Sequence, residues 1–279
     1  MDPSSRAPRT LPVFTLEGKN CLVTGGAGGL GKECITGFAL SGANCACIDL
    51  DLDSCQTTLK EISARVLQES GIEAGSMRGY ACNVTDEDDV KKTINQVVQD
   101  FGQIDVLVTC AGTTVHREAE ATDLATWSKV LDINLNGTYL FGREVGKHML
   151  DRNIPGSLIF IASGAGTRAP RPQAQASYNA SKAGVKLLAA SLAIEWGSRG
   201  IRVNSLSPGY LDTPLSRKQF ANQVSVKPVP DLKEQWLRQI PLGRFADPSE
   251  LQGTLVWMAS AASSYLTGSD VIVDGAWSA

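Results

Sequence analysis

Residues 24–31 have the sequence TGGAGGLG and follow an apolar run, KNCLVT, at residues 19–24. A helical stretch at residues 30–41 comes directly after them. Glycines between a strand and a helix permit a tight turn, and they let backbone N–H groups approach a pyrophosphate at the helix N-terminus. Two glycine patterns fit these residues: GxGxxG on Gly26, Gly28 and Gly31, and TGxxxGxG on Thr24, Gly25, Gly29 and Gly31. Because a strand and a helix flank the turn, the stretch predicts a dinucleotide-binding βα unit.

The rest of the chain repeats the alternation of short apolar runs and amphipathic stretches. Predicted strands cover residues 19–24, 43–49, 75–82, 104–109, 157–162, 201–206 and 270–273, and predicted helices cover 30–41, 53–69, 86–101, 122–151, 177–198 and 248–260. Near-continuous apolar strands that alternate with helices are typical of a parallel sheet covered on both faces. We therefore predict an α/β fold: a single doubly wound domain of the Rossmann type with a seven-stranded parallel sheet and helices on both faces.

The two segments outside this alternation have their own interpretation. Residues 1–17 contain Pro3, Pro8 and Pro12, which oppose a helix, and they are interpreted as a flexible N-terminal arm before a domain at 18–279. Residues 210–246 separate the last two strands and contain several prolines. A long excursion at the carboxyl ends of parallel strands predicts a substrate lid, with a surface insertion as the alternative.

Composition excludes several classes of function. A net charge of −3 and a pI near 5.5 argue against a nucleic-acid or membrane partner. The chain has no apolar run of the roughly 18–20 residues that a transmembrane helix needs, and no secretory signal at its start. Its seven cysteines lack a CxxC spacing and only two histidines are present, which predicts free thiols in the cytoplasm and no metal site.

The second strand ends at Asp49, a position that predicts the choice of cofactor. An acidic residue there binds the ribose hydroxyls of NAD and repels the 2′-phosphate of NADP, so NAD is favoured and NADP remains possible. The alternative for Asp49 is a turn or a helix cap, although Asp51 and Asp53 are better placed to cap the next helix. Asn83 and Val84 follow the third strand, where they would meet the adenine.

The stretch QASYNASKAGVKLL, residues 175–188, places Tyr178 and Lys182 four residues apart on one helical face. That face continues through an apolar stripe, Val185, Ala189, Leu192 and Trp196, so the helix is predicted to bury it. Small residues beside the pair leave room for a close approach. On its own, such a pair is usually a Tyr hydroxyl and a snorkelling Lys in the first turn of a buried helix, so the other motifs have to decide.

The motifs together resemble the short-chain dehydrogenase/reductase superfamily, over about residues 17–277. They occur in one order: TGGAGGLG, Asp49, TCAG (109–112), INLNG (133–137), IASGAG (161–166), YNASK (178–182) and SPGYLDT (207–213). The resemblance implies hydride transfer between a nicotinamide cofactor and a secondary alcohol or ketone. It implies four catalytic residues, Asn134, Ser163, Tyr178 and Lys182. It also implies cofactor-binding residues: Thr24, Gly25, Gly29, Leu30, Gly31, Asp49, Asn83, Val84, Ala111, Gly112, Tyr178, Lys182, Pro208, Gly209 and Thr213.

The implied roles fit the chemistry of the side chains. Tyr178 would be the acid/base, Ser163 would hydrogen-bond the substrate oxygen, and Asn134 would support a water-linked proton relay behind Lys182. A tyrosine has a pKa of about 10, so the role predicts that Lys182 and a cationic nicotinamide lower the pKa of Tyr178 by stabilising its charged form. Ser163 lies further before Tyr178 than is common in the family, but its SxxG pattern with Gly166 favours it.

The resemblance is less informative about the substrate. SPGYLDTPLS and PRPQAQASYNASK resemble members that interconvert polyols and ketoses, and the alternatives are a specialised secondary metabolite, a non-redox enzyme and an NAD-binding regulator. Polar groups that could face a hydroxylated substrate belong to Arg117, His116, Arg168, Arg171 and Gln173. By analogy we expect a homotetramer or homodimer formed through helices 122–151 and 177–198, with Leu187, Leu188 and Ile194 as candidate contacts.

Overall fold

The computed structural model of the chain describes residues 11–214, 216–217 and 231–279. Seven strands in this described part form one sheet, in the order β3-β2-β1-β4-β5-β6-β7, and every pair is parallel. The strands are β1 Asn20–Thr24, β2 Asn44–Asp49, β3 Met77–Ala81, β4 Val106–Thr109, β5 Gly156–Ile161, β6 Ile201–Pro208 and β7 Asp270–Val273. This confirms the predicted doubly wound α/β fold.

The α-helices lie on the two faces of the sheet. They are α1 Gly29–Leu40, α2 Leu52–Ser70, α3 Glu87–Phe101, α4 Leu124–Leu131, α5 Gly137–Arg152, α6 Ala176–Trp196, α7 Leu232–Leu237 and α8 Gln252–Ala259. One apolar cluster packs α1, α2 and α8 on the sheet, and a second packs α3, α5 and α6 on the other face. None of the helices in the described ranges combines the length and apolar character needed to cross a bilayer.

The strand order reverses between β1 and β4, and this reversal positions the functional site. Thr24 pairs with Thr109 at the carboxyl ends of the two strands. The loops that follow, which carry the glycine turn and the TCAG motif, therefore leave the sheet side by side. In a doubly wound sheet, a crevice forms at such a switch point.

Side-chain caps begin α2 and α3, whereas α1 begins without one. Asp51 accepts a hydrogen bond from the Ser54 N–H at 2.9 Å, and Asp86 accepts from Asp88 and Asp89 at 3.0 and 3.1 Å. These contacts confirm the predicted cap at Asp51. At α1 the N-cap is Gly28, which has no side chain to accept from the first turn. The free N–H groups of that turn are therefore available to a ligand.

The buried face of α6 agrees with the predicted stripe. Val185, Ala189, Leu192 and Trp196 are each less than 9% exposed. Leu187 and Ile194, on the opposite face, are 70% and 85% exposed, whereas Leu188 packs against the core. The stripe therefore anchors the start of α6, and with it Tyr178 and Lys182, against the sheet.

The predicted single helix over 122–151 is interrupted. A π-helical turn at Asp132–Asn136 separates α4 from α5. Such a turn adds one residue to the helix, which changes the direction in which its side chains point, and π-turns are frequent at functional sites. Here the widened turn contains Asn134, whose side chain is completely buried.

Two predicted segments are described only in part. Residues 1–10 of the predicted arm lie outside the described residues, but Leu16 is 1% exposed and its N–H donates to the Ser41 carbonyl at 2.9 Å. Leu16 thus belongs to the folded domain and not to a free arm. Of the predicted lid at 210–246, residue 215 and residues 218–230 lie outside the described part. Leu232–Leu237 form α7, whose Trp236 is buried.

Candidate active site

A cavity of about 640 Å³ opens at the carboxyl ends of the strands, beside the switch point. Its wall contains most of the predicted site residues: Gly25, Gly29, Leu30, Asp49, Asn83, Val84, Ala111, Gly112, Ser163, Tyr178, Lys182, Pro208, Gly209 and Thr213. These residues come from six of the seven motifs and from Asn83 and Val84 after the third strand. The fold therefore brings the distant motifs of the sequence to one cavity.

The glycine turn distinguishes between the two patterns that fit its sequence. Gly25 and Gly29 have φ of +65° and +52°, which disfavours any side chain. A Cβ on Gly31 would lie 2.1 Å from the Gly25 carbonyl oxygen, whereas a Cβ on Gly28 would meet no atom within 4 Å. Gly28 is also extended, with φ of −157°. The backbone therefore requires the TGxxxGxG pattern and does not require the central glycine of GxGxxG.

The same turn fits the diphosphate of a dinucleotide. A Cβ added to Gly29 would meet only Thr213, at 3.9 Å, so the space in front of the N-terminus of α1 is open. No side chain caps that N-terminus, and its helix dipole favours a negative charge. Gly25, Gly29 and Leu30 line the cavity there and would hold the diphosphate.

Asp49 lies at the adenosine end of the cavity. One carboxylate oxygen accepts the Ala27 N–H at 3.1 Å and the other accepts the Leu50 N–H at 2.8 Å. A carboxylate has about four acceptor sites, so two remain for ribose hydroxyls. Leu50 also lines the cavity, and the only cationic side chain among the described residues of the wall is Lys182.

Three predicted residues stand behind the cavity wall. The Thr24 hydroxyl accepts the N–H groups of Cys110 and Ala111, both at 3.2 Å, and so joins β1 to the loop after β4. Asn134 accepts from the Thr113 N–H at 2.8 Å and donates to the Thr113 carbonyl and the Ser181 hydroxyl, at 2.9 and 3.0 Å. Thr24, Gly31 and Asn134 thus shape the backbone around the site. The proton relay implied for Asn134 stays a prediction.

Ser163, Tyr178 and Lys182 converge on the cavity from two elements. Ser163 ends the segment after β5, and its hydroxyl accepts the Ala165 N–H at 3.1 Å, which leaves its own proton free to donate. This hydroxyl lies beside that of Tyr178, where it acts to lower the pKa of the tyrosine. A Cβ on Gly166 would lie 2.7 Å from the Lys182 carbonyl carbon, so only glycine lets this loop pack on α6. The SxxG pattern therefore has a steric reason.

Lys182 is 5% exposed, and its Nζ donates to the Ile161 carbonyl at 2.7 Å. The ammonium lies 5.7 Å from the centre of the Tyr178 ring. Burial lowers the pKa of Lys182 to about 8. Burial also raises the pKa of Tyr178 above its ordinary value, although the neighbouring Ser163 hydroxyl opposes this effect. Desolvation is thus the larger effect on Tyr178 in the protein alone, and the expectation that Lys182 and a cationic nicotinamide together lower its pKa stays a prediction.

Aromatic side chains form the substrate end of the cavity. Tyr210 stacks on Trp236 with ring centres 4.4 Å apart and meets the edge of Trp277 at 5.6 Å. Gln173 and Gln175 line the same end. Tyr210 belongs to the SPGYLDT motif, where its position beside Gly209 was a usable signal. Trp236 and Trp277 carry no local pattern, because only the fold brings α7 and the chain end to the cavity.

Of the five polar residues predicted to face a substrate, one lines the cavity. Gln173 does so, whereas Arg168 donates to the Trp277 carbonyl at 2.9 Å and Arg117 lies 3.7 Å from Asp123. His116 is 9% exposed and packs edge-on to Trp236, and burial lowers its pKa. Among the described residues of the wall, His116 and Arg171 are absent.

Fold and site together define a nicotinamide-dependent oxidoreductase, and comparison with known proteins agrees. A family model described as enoyl-(acyl carrier protein) reductase matches residues 25–278. The crystal structure of a short-chain type dehydrogenase/reductase from Mycobacterium marinum superposes with a TM-score of 0.85 at 35% identity, covering 95% of this chain and 97% of that one. The chain belongs to the short-chain dehydrogenase/reductase superfamily. It transfers a hydride between a nicotinamide cofactor and a secondary alcohol or ketone.

Similar proteins of known activity act on polyols and ketoses. A sorbose reductase of Candida albicans is 40% identical over 269 residues, which cover 96% of this chain and 89% of that protein. An NADP-dependent mannitol dehydrogenase of Hypocrea jecorina is 39% identical and covers 99% of this chain and 98% of its own length. A D-arabinitol 2-dehydrogenase of Scheffersomyces stipitis is 34% identical, with 96% of each chain covered.

Proposed function

We propose that this enzyme interconverts a polyol and the corresponding ketose. The observation that carries the proposal is the convergence of Ser163, Tyr178 and Lys182 on a cavity whose far end adds the amides of Gln173 and Gln175. Amide groups bind hydroxyls, and the aromatic rings beside them suit the C–H faces of a hydroxylated chain. The sorbose, mannitol and arabinitol activities of the relatives support the same substrate class.

In the proposed mechanism the side chains position the substrate and move one proton. Ser163 donates its hydroxyl proton to the reacting oxygen, and Oη of Tyr178 takes the proton in oxidation or gives it in reduction. Lys182 places a positive charge beside Tyr178. Together with the positive charge of an oxidised nicotinamide, this charge would favour the ionised form of Tyr178. The chemistry that a nicotinamide cofactor would supply when bound is acceptance or donation of the hydride. Asn134 holds the loop after β4 in place through Thr113.

A substrate panel tests this function. Polyols, sugar acids and apolar secondary alcohols are oxidised with NAD and with NADP, and the absorbance of the reduced nicotinamide is followed. Turnover of a polyol above that of an apolar alcohol is the expected result. Turnover restricted to a specialised metabolite contradicts the polyol assignment. Product without a change in nicotinamide absorbance indicates a non-redox reaction, and cofactor binding without any product indicates a regulator.

We propose NAD as the preferred cofactor, although two observations point in opposite directions. The mannitol dehydrogenase relative is named as NADP-dependent. In this chain, however, the adenosine end of the cavity contains the Asp49 carboxylate and no lysine or arginine among its described residues. A like charge placed against a phosphate costs several kcal/mol, so the local charge carries more weight than the names of relatives.

Asp49→Ser is expected to shift the cofactor preference toward NADP. Wild-type kcat/KM with NAD is expected to exceed that with NADP by about 100-fold, since each factor of ten corresponds to about 1.4 kcal/mol. The variant removes the repulsion between the carboxylate and the 2′-phosphate, and it also removes the carboxylate that accepts from ribose hydroxyls. The ratio of kcat/KM with NAD to kcat/KM with NADP therefore falls by about 30-fold or more. Asp53→Ser, on the exposed first turn of α2, is the matched control. A wild-type preference for NADP shows that Asp49 does not set the choice.

We propose that the protein is a homotetramer or homodimer. Leu124, Leu187 and Ile194 are 78%, 70% and 85% exposed on α4 and α6, the helices expected to form the interface. Exposed apolar side chains on neighbouring helices favour self-association. Sedimentation velocity of the wild type and of Ile194→Glu tests it, because a charge at the interface dissociates the assembly. A monomeric wild type contradicts the proposal.

We propose that residues 210–246 are a substrate lid, which is supported by the placement of Tyr210 and Trp236 against the cavity.

We also propose a cytoplasmic location. It is supported by the free state of the cysteines in the described residues, which a reducing compartment maintains.

A further inference from the structure

The Gln173 side chain connects two of the aromatic residues at the substrate end. It is 7% exposed, and its Oε1 accepts the indole N–H of Trp236 at 2.7 Å. An indole nitrogen can only donate, so the amide oxygen must face Trp236. The amide nitrogen therefore faces the other way, where it donates to the Tyr210 hydroxyl at 3.3 Å. The amide orientation follows from chemistry alone.

This network determines the direction of the Tyr210 proton. The Tyr210 oxygen is an acceptor in its bond with Gln173, so its own proton has to go elsewhere. In the part of the chain that the structure describes, no acceptor lies within reach of that proton. Because Tyr210 lines the cavity, the donor is available to a bound molecule.

The Tyr210 ring is held in place on several sides. It stacks between Trp236 and Phe245, with ring centres 4.4 and 5.7 Å away, and it meets Trp277 edge-on. Burial raises the pKa of Tyr210 to about 12, so its hydroxyl keeps its proton, and Tyr178 lines the same cavity. The indole N–H of Trp277 is buried and lacks a partner among the described residues.

We propose that Tyr210 is a specificity-determining residue that donates a hydrogen bond to the oxygen on the carbon next to the reacting carbon. The reacting oxygen has two lone pairs, which Tyr178 and Ser163 occupy. The next oxygen along the substrate is therefore the acceptor left for Tyr210. The site then selects α-hydroxy ketones and vicinal diols over ketones and alcohols that lack the neighbouring oxygen. This inference rests on the proposed function.

The test compares two ketones that differ only in that oxygen. Reduction of 3-hydroxy-2-butanone and of 2-butanone is measured as kcat/KM with the preferred reduced cofactor. The wild type is expected to favour the hydroxylated ketone by at least tenfold. Tyr210→Phe is expected to lower kcat/KM for 3-hydroxy-2-butanone about 10–50-fold and to change that for 2-butanone less than about threefold, since a site built around a hydrogen bond discriminates strongly. Tyr265→Phe, at a fully exposed tyrosine, is the matched control.

Gln173→Glu tests the orientation of the proton separately. A glutamate keeps the acceptor for Trp236 but replaces the amide donor by an oxygen, which accepts the Tyr210 proton and turns it away from the cavity. The variant is expected to lose the preference for 3-hydroxy-2-butanone over 2-butanone, although Tyr210 is intact. Equal losses on both ketones in Tyr210→Phe, or a preference retained in Gln173→Glu, overturn the assignment. Absence of wild-type turnover on every alcohol and ketone instead defeats the proposed function.

Discussion

Tyr178→Phe is expected to reduce kcat/KM by about 10³-fold, because a positioned general acid/base contributes roughly 10²–10⁴-fold. The substitution removes only the hydroxyl that faces the cavity beside Ser163, so the ring keeps its place at the start of α6. Cofactor affinity, measured by quenching of protein fluorescence, is expected to remain within about threefold. The loss therefore falls on kcat, in oxidation and in reduction alike.

The pH profile separates this role from a structural one. Oxidation needs Tyr178 without its proton, and burial raises its pKa. Wild-type kcat/KM for oxidation is therefore expected to rise with pH from 7 towards 10, whereas the residual rate of Tyr178→Phe lacks this dependence. Tyr265→Phe is expected to match the wild type. A variant that retains a tenth or more of wild-type kcat/KM would show that another group handles the proton.

Gly31→Ala is expected to destabilise the protein by about 3 kcal/mol or more, at the upper end of overpacking effects. Its Cβ would lie 2.1 Å from the Gly25 carbonyl oxygen and 3.0 Å from the Gly26 Cα, and both are backbone atoms that no rotamer change moves. Elsewhere in a helix the same change stabilises by about 1 kcal/mol. The steric clash is the larger effect, so the turn or the helix has to move.

Gly28→Ala is the matched control in the same loop. No atom lies within 4 Å of its Cβ and its backbone is extended, so the expected loss is under about 1 kcal/mol, the cost of a less favourable N-cap residue. Urea unfolding followed by circular dichroism measures both variants. Similar free energies of unfolding for the two would refute the assignment of the turn to the TGxxxGxG pattern.

Much of this site was predictable because its parts are local. The glycine turn, the acid at the end of β2 and the Tyr178/Lys182 pair each lie within a few residues, and their spacing matches the period of the element that holds them. The parallel sheet needed no tertiary information either, because alternating strands and helices give such a sheet, with the carboxyl ends of its strands on one edge. Predicted residues from separate motifs therefore line one cavity.

Errors and omissions occurred where an effect depends on the surroundings of a residue. A π-turn at Asp132–Asn136 interrupts a helix whose sequence is continuous, since the pattern of apolar residues is insensitive to one added residue. The pKa of Tyr178 depends on how much water the fold removes from the hydroxyl, and spacing to Lys182 does not report desolvation. Leu16 was assigned to an arm because its partner Ser41 is distant in the chain.

The class of enzyme and the placement of Tyr178 and Lys182 at the cavity were thus predictable from local motifs, since a turn, a helix face and a strand end each need only neighbouring residues. The substrate end needed the folded chain. Gln173, Tyr210, Trp236 and Trp277 come from the loop after β5, the loop after β6, α7 and the chain end. Their contacts join residues far apart in sequence, and the direction of the Tyr210 proton follows from the bond that Gln173 makes with Trp236. Hydrogen bonds between distant residues have no sequence period, so only tertiary packing determines what this cavity recognises.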